Sequence, residues 1–202
     1  MLTLIGASGH AKVIIEIAEL LSIPIAGLLD KDQSISSLLE YAVHPYSDEP
    51  SWNRVGDYVI SIGNNKARKE FALFQPHLSY VTLLHPQTKI SRRADIGIGT
   101  VAMAGATVNC DSVIGQHAIL NTNCSVDHDC HISDYVHISP NASLAGNVTI
   151  GEGTHVGIGA CIIQGVTIGK WCTIGAGAVI IRDVPDGVTV VGNPGRIIRT
   201  NQ

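Results

Sequence analysis

No run rich in lysine or arginine occurs anywhere in the 202 residues, and the formal net charge is −4. Without a basic stretch to meet phosphates, neither nucleic acid nor an anionic membrane surface is expected as the main partner. No apolar run is long enough to span a bilayer. The opening MLTLIGASGHAKVIIEIAELL lacks the basic stretch of a secretory leader and reads directly as strand, glycine turn and helix. The five cysteines, Cys110, Cys124, Cys130, Cys161 and Cys172, are odd in number and contain no CxxC pair, which suits a reducing compartment rather than a disulfide framework. A cytoplasmic protein with a small soluble ligand is the expectation. What is present is a hydrophobic share of 45%, ample for a core.

The second half carries a period of six. From Ile90, steps of six reach Ile96, Ala102, Val108, Ile114, Leu120, Val126, Ile132, Ile138, Leu144, Ile150, Val156, Ile162, Ile168, Ile174 and Ile180, every one apolar. Two positions earlier the residue is usually small, as at Ala106, Ser112, Ala118, Cys124, Cys130, Ala142 and Cys172. A helix needs recurrence near 3.6 and a simple sheet near 2, so a strict six demands a coil of short strands turned at regular corners. The expected fold is a parallel β-helix of hexapeptide repeats, with three hexads per triangular coil and roughly five coils at the inter-strand spacing. Gly97, Gly115, Gly151, Gly157, Gly169 and Gly175 directly follow the apolar residue, where a crowded or left-handed turn favours the absence of Cβ. The cysteines at small positions are expected to fill the core.

The first half reads as a small Rossmann-like βαβ unit. Strands are expected over Leu2–Ile5, Ile25–Leu29, Tyr58–Ile62 and Tyr80–Leu84, with helices over 11–21 and 66–74 and a boundary near Pro86, dividing the chain into 1–86 and 87–202. Three turns then fall at strand C-terminal ends, the edge where open α/β sheets bind ligands: Gly6-Ala7-Ser8-Gly9-His10, Asp30-Lys31 and Gly63-Asn64-Asn65. The first offers backbone N–H groups and a helix dipole to an anion, and Asp30 stands where an acidic residue commonly takes a ribose hydroxyl. The glycines could also do no more than make tight turns. Four strands are few for a dinucleotide, so a single nucleotide or nucleotide-sugar is expected.

The repeat also places the histidines of NTNCSVDHDCHISDYVHIS. His128 falls at a corner with Asp129 beside it, whereas His131, His137 and His155 each precede an inward residue and point out from a flat face. His137 and His155 lie one coil apart in a column. His128 and His137 differ by half a coil and so lie on opposite sides of one subunit, which puts any site they share between two subunits of a cyclic trimer. A histidine beside a carboxylate serves as a general base, with Asp129 the expected partner and Asp127 its rival. A zinc site between subunits is the alternative; no spacing here singles out three ligands. His117 and His131 read as solvated or interface histidines.

The stretches GASGHAKV, LLDKD, SIGNNKARK, ILNTNCSVDHDCHISDYVHISPNASLAGNV and VVGNPGRII together resemble the NeuD-like sugar O- and N-acyltransferases of the hexapeptide group, and among them the PglD-like acetyltransferases of UDP-4-amino-sugars in the bacillosamine pathway. The resemblance runs end to end. It implies a left-handed coil, a homotrimer and acetyl transfer from acetyl-CoA, without a metal, to the amine of a nucleotide-linked sugar. It further implies His128 as general base and Asp129 as the neighbour that raises its basicity, where relatives carry glutamate. His137, Ile158, Gly159 and Ala176 fall at the acetyl-CoA site, and Gly9, His10, Ala11, Asp30, Lys31 and Gly63 at the nucleotide-sugar site. Sugar O-acetylation of the sialic-acid type, a zinc-dependent lyase of the carbonic-anhydrase type and a non-catalytic nucleotide-sugar sensor are the rival functions.

Overall fold

The computed structural model describes residues 1–46 and 56–200. The N-terminal unit runs β1 (Leu2–Ile5), α1 (Gly9–Leu20), β2 (Ile25–Asp30), β3 (Ser37–Leu38), β4 (Tyr41–Pro45), β5 (Asp57–Ile60), α2 (Asn65–Phe74) and β6 (Ser79–Tyr80). Its sheet has the order β3-β4-β2-β1-β5-β6, parallel except for the β3–β4 hairpin. The hairpin is absent from the sequence reading because two short, largely exposed strands carry no apolar alternation.

The single strand expected over Tyr80–Leu84 is two. Ser79–Tyr80 closes the α/β sheet, whereas Leu83–Leu84 pairs with Val101–Ala102 as the first rung of the solenoid. The chain therefore passes between the units at Val81–Thr82, ahead of the boundary read at Pro86. Nothing in an apolar pentapeptide distinguishes one strand from two that change sheets midway.

From Leu83 the chain forms a β-solenoid. Two-residue strands recur every six residues and pair in parallel with the strand eighteen residues on, as Val101 does with Ile119 and His137 with His155. Three sheets of eight, six and five strands make the three faces, the first closed by the antiparallel strand Arg196–Thr200. The second residue of each strand points inward: Val126, Ile132, Ile138, Ile150, Val156 and Ile168 are fully buried, and each such burial contributes roughly 1.5–3 kcal/mol.

Corners complete the core. The small residue ahead of each strand is buried, including Cys124, Cys130 and Cys172, and burial pushes the Cys124 thiol up to about 12. Thr100, Ser112 and Thr154 occupy the same position, and each hydroxyl donates to a backbone carbonyl while accepting an N–H from the next coil. The glycines directly after the apolar residue prove crowded rather than left-handed: a Cβ on Gly97, Gly115, Gly151 or Gly157 would meet the backbone of the adjacent coil. The left-handed position lies two residues further on, occupied by Asp111, His117, Asn123, Asp129, Tyr135, Asn141, Asn147 and Trp171 as well as by glycine.

Candidate active site

The eight-stranded face positions the first half of the site. Its outward residues begin as Leu83, Val101 and Ile119, each 1% exposed, packed under α1 residues Ile14 and Ile15 and β1 residues Leu2 and Leu4. Next in the same column come His137 and His155, so the surface turns from apolar to polar beneath the α/β unit. Their rings stack with centroids 4.8 Å apart and 1° between planes, and His10 approaches His137 from the α/β unit at 6.4 Å.

Hydrogen bonds assign the tautomer of His137. The Oδ1 of Asn121 accepts the Thr122 N–H at 2.8 Å, which leaves its Nδ2 to donate to His137 Nε2 at 3.0 Å. The proton of the neutral ring therefore sits on Nδ1, which is buried without a hydrogen-bond partner, as is Nε2 of His10. Burial, reinforced by the positive charge of His155, Arg68 and His10, pushes His137 down to about 3; the backbone of Gly63 acts in the opposite sense without making a well-formed bond to Nδ1. His10 is pushed down to about 4 by burial and then by Arg68. Both rings are neutral near pH 7, and the N–H of His137 is turned toward the backbone of Gly63.

Above this column lies the ligand edge of the α/β sheet. Ile5 of β1 aligns with Leu29 of β2 and Ile60 of β5, so the three turns emerge side by side as the sequence suggested. Asp30 accepts the N–H of Ala7 at 2.6 Å through Oδ2 and that of Asp32 at 2.9 Å through Oδ1, tying the first two turns together. Gly9 opens α1 with nothing within 4 Å of where a Cβ would stand, and the Ser8 side chain does not cap the helix. The Gly63 turn sits against His10, whose Cβ lies 4.0 Å from that position. Lys31 lines two adjoining clefts of about 240 and 490 Å3, the first with Gly6, Asp30 and Ile62, the second with Tyr46, Phe71 and Phe74. Ala11 does not fit the role given to it: it is fully buried and its N–H donates to the Ser8 carbonyl at 3.0 Å.

The second half of the site is elsewhere. His128 stands at the corner between strands Ser125–Val126 and His131–Ile132, the corner opposite the face that carries His137. Its Nδ1 meets Asp129 Oδ2 at 2.7 Å. Asp127 instead accepts the His128 backbone N–H at 2.8 Å and the Asn109 side-chain amide at 2.7 Å. Asp129 is thus the partner of the ring and Asp127 the support of its backbone. The hydrogen bond to Asp129, then the charge of Asp127, raises the His128 pKa above its ordinary value. Nε2 lies over Gly146 of the next coil, where a Cβ would come within 2.7 Å of it. Gly146 escaped the sequence reading because it breaks no periodicity; only the stacking of coils reveals that the ring needs the space.

A base works in its neutral form, so activity limited by His128 falls as pH drops through its raised pKa. Asp129→Asn removes the main cause of that rise. In kcat/KM profiles the acidic limb of this variant is expected at lower pH than in the wild type, with a turnover loss smaller than that of deleting the ring. An unshifted limb, or a larger effect from Asp127→Asn, would show that the partner is misassigned.

Ile158, Gly159 and Ala176 occupy the corner that follows the His155 face, with Ile158 and Ala176 one coil apart. Ile158 is 52% exposed, Gly159 is left-handed at φ 65° with open space above it, and Ala176 is exposed. They form a smooth strip leading round from the stacked histidines. His131 is exposed, whereas His117 is an internal interface residue held between the rings of Tyr80 and Tyr135 at 4.7 and 5.5 Å. Among the described residues, no group of three or more His, Cys, Asp or Glu could hold a metal ion, and no helix is long and apolar enough to cross a membrane.

Comparison with known proteins matches the description "PglD N-terminal domain" to residues 1–73 and "Bacterial transferase hexapeptide (six repeats)" to residues 147–182. The acetyltransferase domain of PglB from Neisseria gonorrhoeae, solved with acetyl coenzyme A, is 38% identical, with 98% of each chain covered and a TM-score of 0.90. The chain belongs to the PglD-like hexapeptide acetyltransferases. PerB from Caulobacter crescentus, solved with CoA and GDP-perosamine, is 35% identical over 98% of this chain and 97% of that one, with a TM-score of 0.90. A curated relative, UDP-N-acetylbacillosamine N-acetyltransferase of Bacillus subtilis, is 41% identical over 108 residues, a match spanning 50% of each sequence. The family resemblance carried by the quoted motifs therefore extends over the whole architecture, α/β unit included.

Proposed function

We propose that this protein transfers the acetyl group of acetyl-CoA to the 4-amine of a UDP-linked amino-deoxy sugar of the bacillosamine type, as a cytoplasmic homotrimer with sites between subunits. One observation carries the reading: the nucleotide-type ligand edge of the α/β unit overhangs the stacked His137 and His155, with His10 of its first turn 6.4 Å from His137. The solved relatives bound to acetyl-CoA, or to CoA and a nucleotide-sugar, support it, and the curated relative supports the bacillosamine-type acceptor.

The α/β unit holds the acceptor through Gly9, His10, Asp30, Lys31 and Gly63, and the solenoid holds acetyl-CoA along His137, Ile158, Gly159 and Ala176. A backbone N–H or a neighbouring side chain stabilises the negative charge that develops on the thioester oxygen. The amine attacks, a C–N bond forms and the C–S bond breaks. His128 of the neighbouring subunit takes the amine proton, and the thiolate leaves to be protonated as CoA thiol. No enzyme-bound acyl group is needed, and the inward cysteines are unsuited to carry one.

Thiol release from acetyl-CoA with a panel of UDP-, dTDP- and GDP-linked 4-amino-sugars tests the reading, beside calorimetric titration with UDP. Release is expected with UDP-linked amino-sugars, along with UDP binding below millimolar concentration. Turnover of GDP-linked sugars alone would overturn the choice of nucleotide. Release only with hydroxyl acceptors such as sialic acid would replace N-acetylation by O-acetylation.

A further inference from the structure

Arg68, on α2, is 1% exposed and makes no ion pair with a carboxylate among the described residues. A buried charge without a counterion is costly unless its donors are met. Here all three nitrogens find acceptors: Nε donates to the His117 carbonyl at 2.8 Å, Nη1 to the carbonyls of Ile62 at 2.9 Å and Gly63 at 3.3 Å, and Nη2 to Asn65 Oδ1 at 2.9 Å and the Tyr135 carbonyl at 2.8 Å. Two of these carbonyls belong to the solenoid and two to the turn at the acceptor edge. The planar fork of a guanidinium can serve both at once, which neither an ammonium nor an apolar side chain can do.

The solenoid supplies the matching surface. His117, Tyr135 and Gly153 are successive left-handed residues of one corner, each eighteen residues from the next, and no backbone N–H among the described residues pairs with their carbonyls. Asn65, one helical turn from Arg68, donates to the Gly153 carbonyl at 3.0 Å, so one face of α2 reads three consecutive coils. Lys69 adds an ion pair with Glu152 and lies over the rings of Tyr135 and Trp171. Helix docking alone could be served by Asn65, Lys69 and apolar contacts. The bonds to Ile62 and Gly63 go further, because they tie the turn itself.

We propose that Arg68 is the positioning residue of the acceptor site, a buried clasp that holds the Ile62–Gly63 turn at a fixed place over the His137–His155 column. The inference rests on the acceptor site proposed above. It goes beyond that reading in assigning the alignment of acceptor with donor to a residue that touches neither.

Arg68→Met and Arg68→Lys are compared with the wild type by steady-state kinetics for both substrates and by amide exchange. The acceptor KM is expected to rise about tenfold or more in Arg68→Met while the acetyl-CoA KM stays within about twofold, since a small misplacement of a bound reactant is enough for such a loss. Arg68→Lys should fall between. Exchange of the Ser61 and Ala67 amides, which bond to Ile5 and Asn64 on either side of the turn, should quicken about tenfold while β1 and β2 hold. Equal rises in both KM values, or a lowered melting temperature with unchanged KM values and turn exchange, would reduce Arg68 to a structural residue. If Arg68→Met does not fold, Arg68→Lys and Asn65→Ala decide by the same measures. A wild type that acetylates no nucleotide-sugar would sink the proposed function, and exchange at the turn would still decide the clasp.

Discussion

His128→Ala is expected to lower the turnover number by about 10²–10⁴-fold, the usual worth of a positioned general base, with nucleotide affinity unchanged. The argument rests on position. His128 is open to solvent, paired through Nδ1 with Asp129 and supported from beneath by Gly146, so its Nε2 is held ready without a hydrogen-bond partner among the described residues. In the proposed site His128 meets the amine and leaves the nucleotide to the α/β ligand edge, which is why binding should survive. A variant within threefold of wild type in single-turnover acetyl transfer would remove His128 from the chemistry.

The second large effect concerns two chains at once. Within one chain His128 and His137 lie on opposite sides of the coil, so a site using both must draw them from different subunits. His128→Ala and His137→Ala are each expected to be strongly impaired, His137 through loss of a side chain that shapes the acetyl-CoA site. When the two unfolded variants are mixed in equal amounts and refolded, a site is whole only if the chain supplying position 128 carries the second substitution and the chain supplying 137 the first. Random assembly into head-to-tail trimers makes about a quarter of sites whole. Recovery toward that fraction, measured below saturating acetyl-CoA, is the expected result. A mixture no more active than the mean of its parents would place both histidines, or neither, in one chain's site.

Much of this geometry was legible because a repeat converts sequence distance into spatial direction. The sixfold period placed every inward residue from Ile90 to Ile180, and the half-coil offset of His128 and His137 needed only arithmetic. Where two units meet, that arithmetic fails. His137 is outward-facing as the register requires, but the register could not show that the α/β unit covers it and that burial drives it neutral. Nothing local marks Arg68, since its acceptors are carbonyls from one turn and two coils that no sequence pattern joins. Ala11, beside the first glycine turn, is a core residue.

The apolar-to-polar change along the eight-stranded face also makes the solenoid a graduated scale. The α/β unit is seated on the rungs of Leu83, Val101 and Ile119, and the stacked histidines begin on the very next rung. The unit does not stop there, because Arg68, Asn65 and Lys69 of α2 grip the coils of His117, Tyr135 and Gly153. Insertion of one more eighteen-residue coil between Ile119 and His137 would leave every contact type of the solenoid core intact and yet part the carbonyls of His117 and Tyr135 by one graduation of about 4.8 Å, opening the Arg68 clasp. A fold of this kind can thus change the spacing beneath its α/β unit only in discrete steps, by counting coils, and each step would need a helix face able to read the added rung.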